Sequence, residues 1–289
     1  MFSSRKLVGA LAVLSAMAAV PVAAAQIPEV DPDPVPLEFC NGLQADVVGT
    51  NQADTLFADA DGSVIVAKGG DDIVIGLGGD DTICAGDGSD EVLPGDGSDT
   101  VFGENQADAI VEIGSTSGDD DYDGGNGADV LISGKDDDYA GGGEGNDLIA
   151  TDRGVDRVHA GLGDDIVLGG ADDDAFLHGD NDEDVVDGGE GQDDEFGGDE
   201  ADVLLGRGGV DFLHGGQEPD ILLGGTGSDS LYGDEDDDKL DAGPGDDIRL
   251  RGNEGDDVLD GGPGQDLECL GANDPDLAPA DDDRIRNCE

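Results

Sequence analysis

Length, composition and charge exclude several classes of protein before any motif is read. The chain has 289 residues, with 12 Lys or Arg against 73 Asp or Glu, which gives a formal net charge of −61. Such a polyanion repels nucleic acid and anionic lipid, so neither nucleic-acid binding nor membrane insertion is expected. Aromatic residues make up 3% and Trp is absent, which argues against a large core built on aromatic side chains. Composition alone leaves two alternatives, a disordered acidic polymer or a fold that cations neutralise.

Residues 1–25 are predicted to form a cleaved secretory signal peptide. Arg5 and Lys6 precede an apolar run from Leu7 to Val20, and small residues up to Ala25 fit a cleavage site. The alternative is a membrane span, but the apolar run is shorter than the roughly 20 residues that a span requires. We therefore expect the mature protein to be secreted and extracellular.

The remaining chain divides into three parts by composition. Residues 26–40 are proline-rich and predict an extended linker or N-terminal cap. Residues 41–269 repeat with a period of nine, and residues 270–289 follow as a predicted C-terminal cap. The long repeat region is the principal source of information on fold and function.

The nonapeptide unit combines glycine, aspartate and one aliphatic residue at fixed positions. The unit from Gly124 to Ile132 reads GGNGADVLI, and the unit from Gly224 to Tyr232 reads GGTGSDSLY. When the recurring Asp is numbered six, only Ser63 departs from Asp at that position. The spacing between successive units lengthens by one residue after Asp174 and after Asp247.

Position eight is apolar in nearly every unit, and its polar exceptions are Glu195, Arg249 and Glu268. Phe176 is the residue at position eight of its unit and is expected to point inward. A one-residue slip reverses the faces of a strand, so the extra residue near Arg249 predicts a bulge that turns Ile248 or Leu250 inward. The same reasoning places Phe196 inward in place of Glu195.

Each position of the unit has a physical role. Glycine at positions one, two and four permits tight turns that bring backbone carbonyls together. A carboxylate at position six completes an all-oxygen ligand set, which is the set that Ca²⁺ prefers. Positions seven to nine form a short strand with one inward side chain, and neighbouring units must stack because one unit cannot bury that side chain alone.

The repeat resembles the RTX calcium-binding nonapeptide, GGxGxDxUx, over most of the mature chain. The resemblance implies an all-β fold, a right-handed parallel β-roll (a β-solenoid) with two units per 18-residue turn and multiple Ca²⁺ ions along both rims. It also implies that position-six carboxylates and loop carbonyls are the ligands. Transferred to this sequence, the metal-binding residues are Asp72, Asp81, Asp90, Asp99, Asp129, Asp147, Asp156, Asp165, Asp193, Asp202, Asp211, Asp220, Asp229, Asp238, Asp247, Asp257 and Asp266.

Position four alternates between acid and glycine in the C-terminal half of the repeat. The acids are Asp182, Glu200, Glu218 and Asp236, and the glycines between them are Gly191, Gly209, Gly227 and Gly245. Alternate units lie on opposite rims of a two-unit turn. The alternation therefore predicts one acidic rim and one carbonyl-rich rim, with two classes of calcium site.

Four cysteines in an exported chain predict disulfides, for which three pairings exist. We favour Cys269–Cys288, because residues 283–285 resemble one more strand of the repeat. This strand is expected to lie in the same sheet as the strand that follows Asp266 and beside it, which would bring Cys288 near Cys269. Cys40–Cys84 would then be the second bridge, and it requires the N-terminal segment to fold back onto the roll.

No catalytic motif of the HExxH, GxSxG or phosphate-loop type occurs, and His159, His178 and His214 are expected to be surface residues. The preferred interpretation is a secreted, non-enzymatic calcium-binding protein that folds when Ca²⁺ binds. One alternative is a Ca²⁺-dependent extracellular adhesin, matrix or surface-layer protein that acts through self-association or contact with an extracellular polymer. A second alternative is a Ca²⁺-activated hydrolase with an unrecognised site.

Overall fold

Short strands joined by tight loops make up residues 37–113, 118–271 and 284–288, the part of the chain that the computed structural model describes. No helix occurs in these ranges, and so none is long and apolar enough to cross a membrane there. The predicted signal peptide, residues 26–36 of the predicted linker and residues 272–283 of the predicted cap lie outside the described residues.

The strands, in chain order, are β1 (Phe39–Cys40), β2 (Leu43–Gln44), β3 (Val47–Val48), β4 (Thr55–Phe57), β5 (Val64–Val66), β6 (Ile73–Ile75), β7 (Thr82–Asp87), β8 (Glu91–Leu93), β9 (Thr100–Asn105), β10 (Ala109–Val111), β11 (Asp121–Asn126), β12 (Val130–Ile132), β13 (Tyr139–Glu144), β14 (Leu148–Arg153), β15 (Arg157–Leu162), β16 (Ile166–Ala171), β17 (Phe176–Asn181), β18 (Val185–Gly191), β19 (Asp194–Gly198), β20 (Val203–Gly209), β21 (Phe212–Gly216), β22 (Ile221–Leu223), β23 (Thr226–Gly227), β24 (Ser230–Asp234), β25 (Lys239–Asp241), β26 (Arg249–Asn253), β27 (Val258–Asp260), β28 (Cys269–Leu270) and β29 (Arg284–Arg286).

Two parallel sheets face each other. Sheet I has 14 strands, in the order β29-β27-β25-β22-β20-β18-β16-β14-β12-β10-β8-β6-β4 with β23 paired to β20, and sheet II has 13 strands, in the order β28-β26-β24-β21-β19-β17-β15-β13-β11-β9-β7-β5-β3. Consecutive units thus contribute strands to opposite sheets. The prediction of an all-β parallel solenoid built from stacked nonapeptide repeats is confirmed.

One turn of the solenoid contains two repeat units. Leu131 of β12 pairs with Ile149 of β14, and the repeat unit that follows Asp129 stacks on the unit 18 residues later. The offset rises to 21 residues between Asp99 and Asp120, and there Val101 pairs with Tyr122. The strands therefore stay in register even though this turn contains three more residues.

The core is a single column of inward side chains held between the two sheets. Its fully buried members, one from each strand, include Ile65, Val74, Ile83, Val92, Val101, Ile110, Tyr122, Leu131, Ala140, Ile149, Val158, Val167, Leu177, Val186, Leu204, Leu213, Leu222, Leu231, Leu250 and Leu259. Each strand alternates inward and outward residues, as period-two geometry requires. Each unit buries only one apolar side chain. The stability of the fold must therefore come from the stacking of many units.

Two of the exceptions at position eight have different outcomes. The expectation that Leu250 turns inward in place of Arg249 is confirmed, since Leu250 is fully buried in the core column and Ile248 is exposed. No bulge within the strand produces this change, because β26 begins one residue late, at Arg249, and Leu250 then pairs with Leu231. The expectation that Phe196 replaces Glu195 is wrong, because Glu195 itself is fully buried and pairs with core leucines on both sides. The nine-residue spacing around Glu195 leaves no spare residue from which a bulge could form.

The inward position assigned to Phe176 is also wrong. The strand after Asp174 begins one residue late, so that Leu177 pairs with Val158 in the core column. Leu177 is fully buried, while Phe176 is half-buried on the outer face of sheet II, with its ring 5.0 Å from that of Phe196. The extra residue of this unit is thus absorbed before the strand.

Both ends of the roll are closed by disulfides. Cys40 bonds to Cys84 with a Cα–Cα distance of 5.7 Å, and the antiparallel hairpin of β1 and β2 carries Cys40 back onto the first turns. Cys269 bonds to Cys288 with a Cα–Cα distance of 6.2 Å. Both predicted bridges are therefore confirmed, and they link the ends of the chain to the nearest coils of the solenoid.

The strand expected from residues 283–285 forms, but in the other sheet. β29 pairs with β27 of sheet I, where Leu259 lies opposite Ile285, whereas the unit of Asp266 supplies β28 to sheet II. Consecutive strands alternate between the sheets, so the strand that follows β28 belongs to sheet I.

Candidate metal centres

The loops between strands stack on one another along the two rims of the solenoid. We call rim I the loops that precede the strands of sheet I, and rim II those that precede the strands of sheet II. Gly143 and Gly145 have φ values of 106° and 131°, in a region that side chains with a Cβ rarely adopt. A Cβ at Gly145 would also overlap the carbonyl oxygen of Gly127 in the preceding turn. Glycine is required here because backbones of successive loops are in contact, which brings rows of carbonyl oxygens to the rims.

The position-six aspartates form one hydrogen-bonded ladder along each rim. In each rung the backbone N–H of one Asp donates to Oδ1 of the Asp one turn later, for example Asp72 to Asp90 at 2.7 Å and Asp81 to Asp99 at 2.7 Å. The rim I ladder runs from Asp54 to Asp257. The rim II ladder runs from Ser63 to Asp266.

The ladders bring together every aspartate predicted as a metal ligand. Rim I contains Asp72, Asp90, Asp129, Asp147, Asp165, Asp202, Asp220, Asp238 and Asp257, and rim II contains Asp81, Asp99, Asp156, Asp193, Asp211, Asp229, Asp247 and Asp266. The sequence prediction omitted Asp108, Asp120, Asp138, Asp174 and Asp184, which occupy the same ladders. The recurring Asp at position six was sufficient to identify them.

The second carboxylate oxygen of most ladder aspartates is buried and has no hydrogen-bond donor. This holds for Oδ2 of Asp72, Asp81, Asp90, Asp99, Asp108, Asp129, Asp147, Asp165, Asp174, Asp184, Asp193, Asp202, Asp211, Asp220, Asp229, Asp238, Asp247 and Asp266. Leaving a buried acceptor without a donor is costly. The repetition of the same unpartnered atom along both rims indicates a ligand that this atom is placed to bind.

Backbone carbonyls lie beside these unpartnered oxygens. At Gly124, a Cβ would be 2.6 Å from Oδ2 of Asp129 and 2.6 Å from the carbonyl oxygen of Gly142. Gly206 shows the same arrangement, with Oδ2 of Asp211 at 2.6 Å. Carboxylate and carbonyl oxygens converge on a small space at these positions, and this set of oxygen ligands fits a hard cation such as Ca²⁺.

Burial raises the pKa of the ladder carboxyl groups, and the charge of neighbouring acids raises it further in most of them. The pKa rises to about 6 for Asp81, Asp90, Asp147, Asp156, Asp193 and Asp247, to about 7 for Asp99, Asp129, Asp138, Asp165, Asp174 and Asp220, and to about 8 for Asp108, Asp120, Asp184, Asp202, Asp211 and Asp238. Without a cation, the ionised ladder opposes folding at neutral pH.

Some rungs carry a hydroxyl group near the carboxylate. The Tyr122 hydroxyl, from the core column, donates to Oδ2 of Asp120 at 3.1 Å, and Thr151 donates to the carbonyl oxygen of Gly169 at 2.9 Å. In the sequence, Tyr122 is the position-eight residue of its unit, for which only an inward orientation is expected. A tyrosine at position eight is the signal in the sequence that could have indicated this contact.

The two rims differ at position four, as the alternation in the sequence predicts. On rim I, Glu200 and Glu218 have φ values of 70° and 68°, whereas on rim II Gly209 and Gly227 have φ values of 157° and 158°. The Glu200 carboxylate accepts the backbone N–H of Asp182 from the preceding turn at 3.2 Å. Between residues 182 and 245, the loops of rim I therefore differ from those of rim II in backbone conformation and in charge.

Side-chain clusters alone do not complete a coordination shell. No group of three or more His, Cys, Asp or Glu side chains in the described ranges is arranged to hold a metal ion. Since Ca²⁺ takes six to eight oxygen ligands, backbone carbonyls would have to supply most of the ligands of a calcium ion bound at a rung.

The three histidines lie outside the ladders, half-buried on the outer face of sheet II. They belong to a stripe of rings stacked from strand to strand, with members Tyr139, His159, Phe176, His178, Phe196, Phe212, His214 and Tyr232. Nδ1 of His159 and of His178 lie 3.2 Å and 2.8 Å from the Asp180 carboxylate. The stripe therefore lies apart from the candidate calcium sites of the rims.

A parallel solenoid with repeated carboxylates and carbonyls along its rims defines a calcium-binding repeat protein. The family model described as the RTX calcium-binding nonapeptide repeat matches residues 59–92, 94–111, 115–149, 141–175, 176–194, 196–221, 214–248 and 249–268. The chain belongs to this family, and calcium is its cofactor. No curated protein shows a significant match to the chain.

Proposed function

We propose that this protein is a secreted, non-catalytic calcium-binding protein whose roll folds when it binds several Ca²⁺ ions. The observation that carries the proposal is the repeated, buried and unpartnered Oδ2 atom along both rims. When bound, the ion supplies the positive charge that these carboxylates lack within the fold. The two disulfides fit an oxidising compartment, and export into millimolar calcium would link secretion to folding.

The predicted ligands are position-six aspartates, and we extend that set by three. They are Asp72, Asp81, Asp90, Asp99, Asp129, Asp147, Asp156, Asp165, Asp193, Asp202, Asp211, Asp220, Asp229, Asp238, Asp247, Asp257 and Asp266, with Asp108, Asp174 and Asp184 added because their Oδ2 atoms are buried without a donor. Each carboxylate would act together with loop carbonyls of its own turn and of adjacent turns. A site is then complete only when two turns are stacked.

Circular dichroism during a calcium titration of the mature chain tests the proposal. We expect a coil spectrum in chelator at neutral pH and a β spectrum once calcium exceeds the roughly 10⁻⁴–10⁻³ M range of extracellular sites. Mg²⁺ at equal concentration serves as the control, because it demands a smaller octahedral site. A chain that remains a coil in about 10 mM calcium would overturn the proposal.

An adhesive or matrix role is the second candidate, and exposed acids on the rims favour it. Position-five residues such as Asp71, Asp80 and Asp164 are exposed beside the buried ladders. Calcium could join such carboxylates to a second copy or to an anionic extracellular polymer. Sedimentation velocity with and without calcium distinguishes the candidates, since an adhesive protein would form assemblies in calcium and an isolated binding protein would remain monomeric.

A further inference from the structure

A carboxylate inside the core reaches one of the rim II rungs. Glu195 lies in β19, where it pairs with Leu177 on one side and Leu213 on the other in the inward column. Its side chain is completely buried. Every adjacent layer of this column holds an aliphatic residue, so the glutamate interrupts an otherwise apolar core.

The two carboxylate oxygens of Glu195 have different environments. Oε2 accepts the backbone N–H of Leu205 from sheet I at 3.1 Å, which fixes the orientation of the carboxylate. Oε1 is buried and has no hydrogen-bond donor. An unpartnered oxygen on a fully buried acid is the same feature that marks the ladder aspartates.

Oε1 of Glu195 points to the rung of Asp193. A Cβ placed on Gly188 would lie 2.6 Å from Oδ2 of Asp193 and also 2.6 Å from Oε1 of Glu195. At the equivalent Gly197, the atom 2.6 Å from the Cβ position is instead the carbonyl oxygen of Gly215. The glutamate oxygen is therefore as close to the Cβ position of Gly188 as a backbone carbonyl oxygen is to that of Gly197.

Other rungs show that an inward side chain can reach the rim. At the Asp174 rung, Cδ1 of Leu177 lies 2.8 Å from the Cβ position of Gly169. At the Asp120 rung, the Tyr122 hydroxyl donates to the ladder carboxylate. The inward residue of a unit thus determines whether its rung meets a methyl group, a donor or an additional charge.

We propose that Glu195 is a calcium ligand supplied from the core, so that the Asp193 rung is a calcium site with two carboxylates of its own unit. The inference rests on the proposed calcium-binding function and distinguishes one site from the rest. Asp211 of the next turn, whose Oδ1 accepts the Asp193 N–H at 3.2 Å, adds negative charge beside the same site. Affinity for Ca²⁺ rises with the number of charged ligands, so this rung binds calcium more tightly than rungs with one carboxylate.

The test compares Glu195→Gln, which removes the charge at constant shape, with Glu195→Leu, which continues the leucine column. Leu213→Met is the matched control, since it perturbs the adjacent core layer and leaves every carboxylate in place. Calcium binding to the full mature chain is measured by equilibrium dialysis and calorimetry, and circular dichroism at saturating calcium monitors the fold.

We expect the wild-type chain and Leu213→Met each to bind one calcium ion at least tenfold more tightly than they bind their remaining calcium ions. In both Glu195 variants the binding of that ion should weaken by at least tenfold, while the binding of the remaining ions and the β spectrum are retained. Superimposable isotherms for wild type and variants would overturn the inference, and unchanged binding with greater calcium-free stability of Glu195→Leu at pH 5 would identify Glu195 as a buried protonated acid. A wild-type chain that binds no calcium would refute the proposed function itself.

Discussion

Acidification should replace calcium as the agent that folds the roll. In calcium-free buffer at pH 8 the ladder carboxylates are ionised and buried together, and we expect the chain to be a coil. Lowering the pH towards 5 protonates them within the fold, and a β spectrum should appear without any metal. The perturbation is therefore a pH change in a chain stripped of calcium.

The sign and size of the effect follow from the raised pKa values. For Asp202, burial raises the pKa from 3.8 to about 8, so the folded state holds a proton that the unfolded state releases between these values. Stability is retained below the unfolded value and is lost as the pH rises through the folded value. The loss is at most about 6 kcal/mol for this residue, and several kcal/mol after screening by solvent near the rim. Two or three such residues would offset the 5–15 kcal/mol that stabilises a typical domain.

Far-ultraviolet circular dichroism between pH 8 and pH 5, in buffer passed over a chelating resin, measures the transition. The control is the same series in saturating calcium, where the β spectrum should persist across the whole range. Asp202→Asn, which removes one buried charge, should move the calcium-free transition towards higher pH. A calcium-free chain that is equally folded at pH 8 and pH 5 would refute the electrostatic reasoning.

Three further predictions concern a tyrosine, a glycine and a disulfide. Tyr122→Phe removes a hydroxyl donor from a buried carboxylate, so calcium-free stability at pH 5 should fall by about 1–3 kcal/mol in thermal melts, and an unchanged melting temperature would contradict the assignment. Gly145→Ala places a Cβ against the backbone of the preceding turn and should raise the calcium concentration needed for folding. Gly141→Ala, where the nearest atom is 3.8 Å away, is its control and should match the wild type. Replacing Cys269 and Cys288 by serine should lower the stability of the C-terminal turns by about 3 kcal/mol, detected as faster hydrogen exchange there, with exchange elsewhere as the reference.

The period of the repeat made the fold predictable, because one residue type at each position dictates a turn, a ligand or a strand. Register was harder to predict. The unit of Phe176 contains an extra residue, and the spacing does not say whether the strand or the loop absorbs it. Glu195 has no extra residue beside it, and a strand without one cannot bulge to turn a charged side chain outward. Local hydrophobicity suggested that Phe196 would be buried, but the fixed spacing of the neighbouring aspartates determined the register.

Stacked turns also make the molecule a dense linear polyelectrolyte. Sheets of 13 and 14 strands, spaced by about 4.8 Å, extend for roughly 60 Å, and the net charge is −61. The resulting line charge, about one per Å, exceeds that of duplex DNA, which carries one per ~1.7 Å and condenses a layer of counterions. Folding would concentrate the charge of the calcium-free coil to this density, so calcium must compete with the monovalent cations that neutralise the chain before it binds. Calcium entry then releases these ions to solution, and the apparent calcium affinity decreases as ionic strength rises.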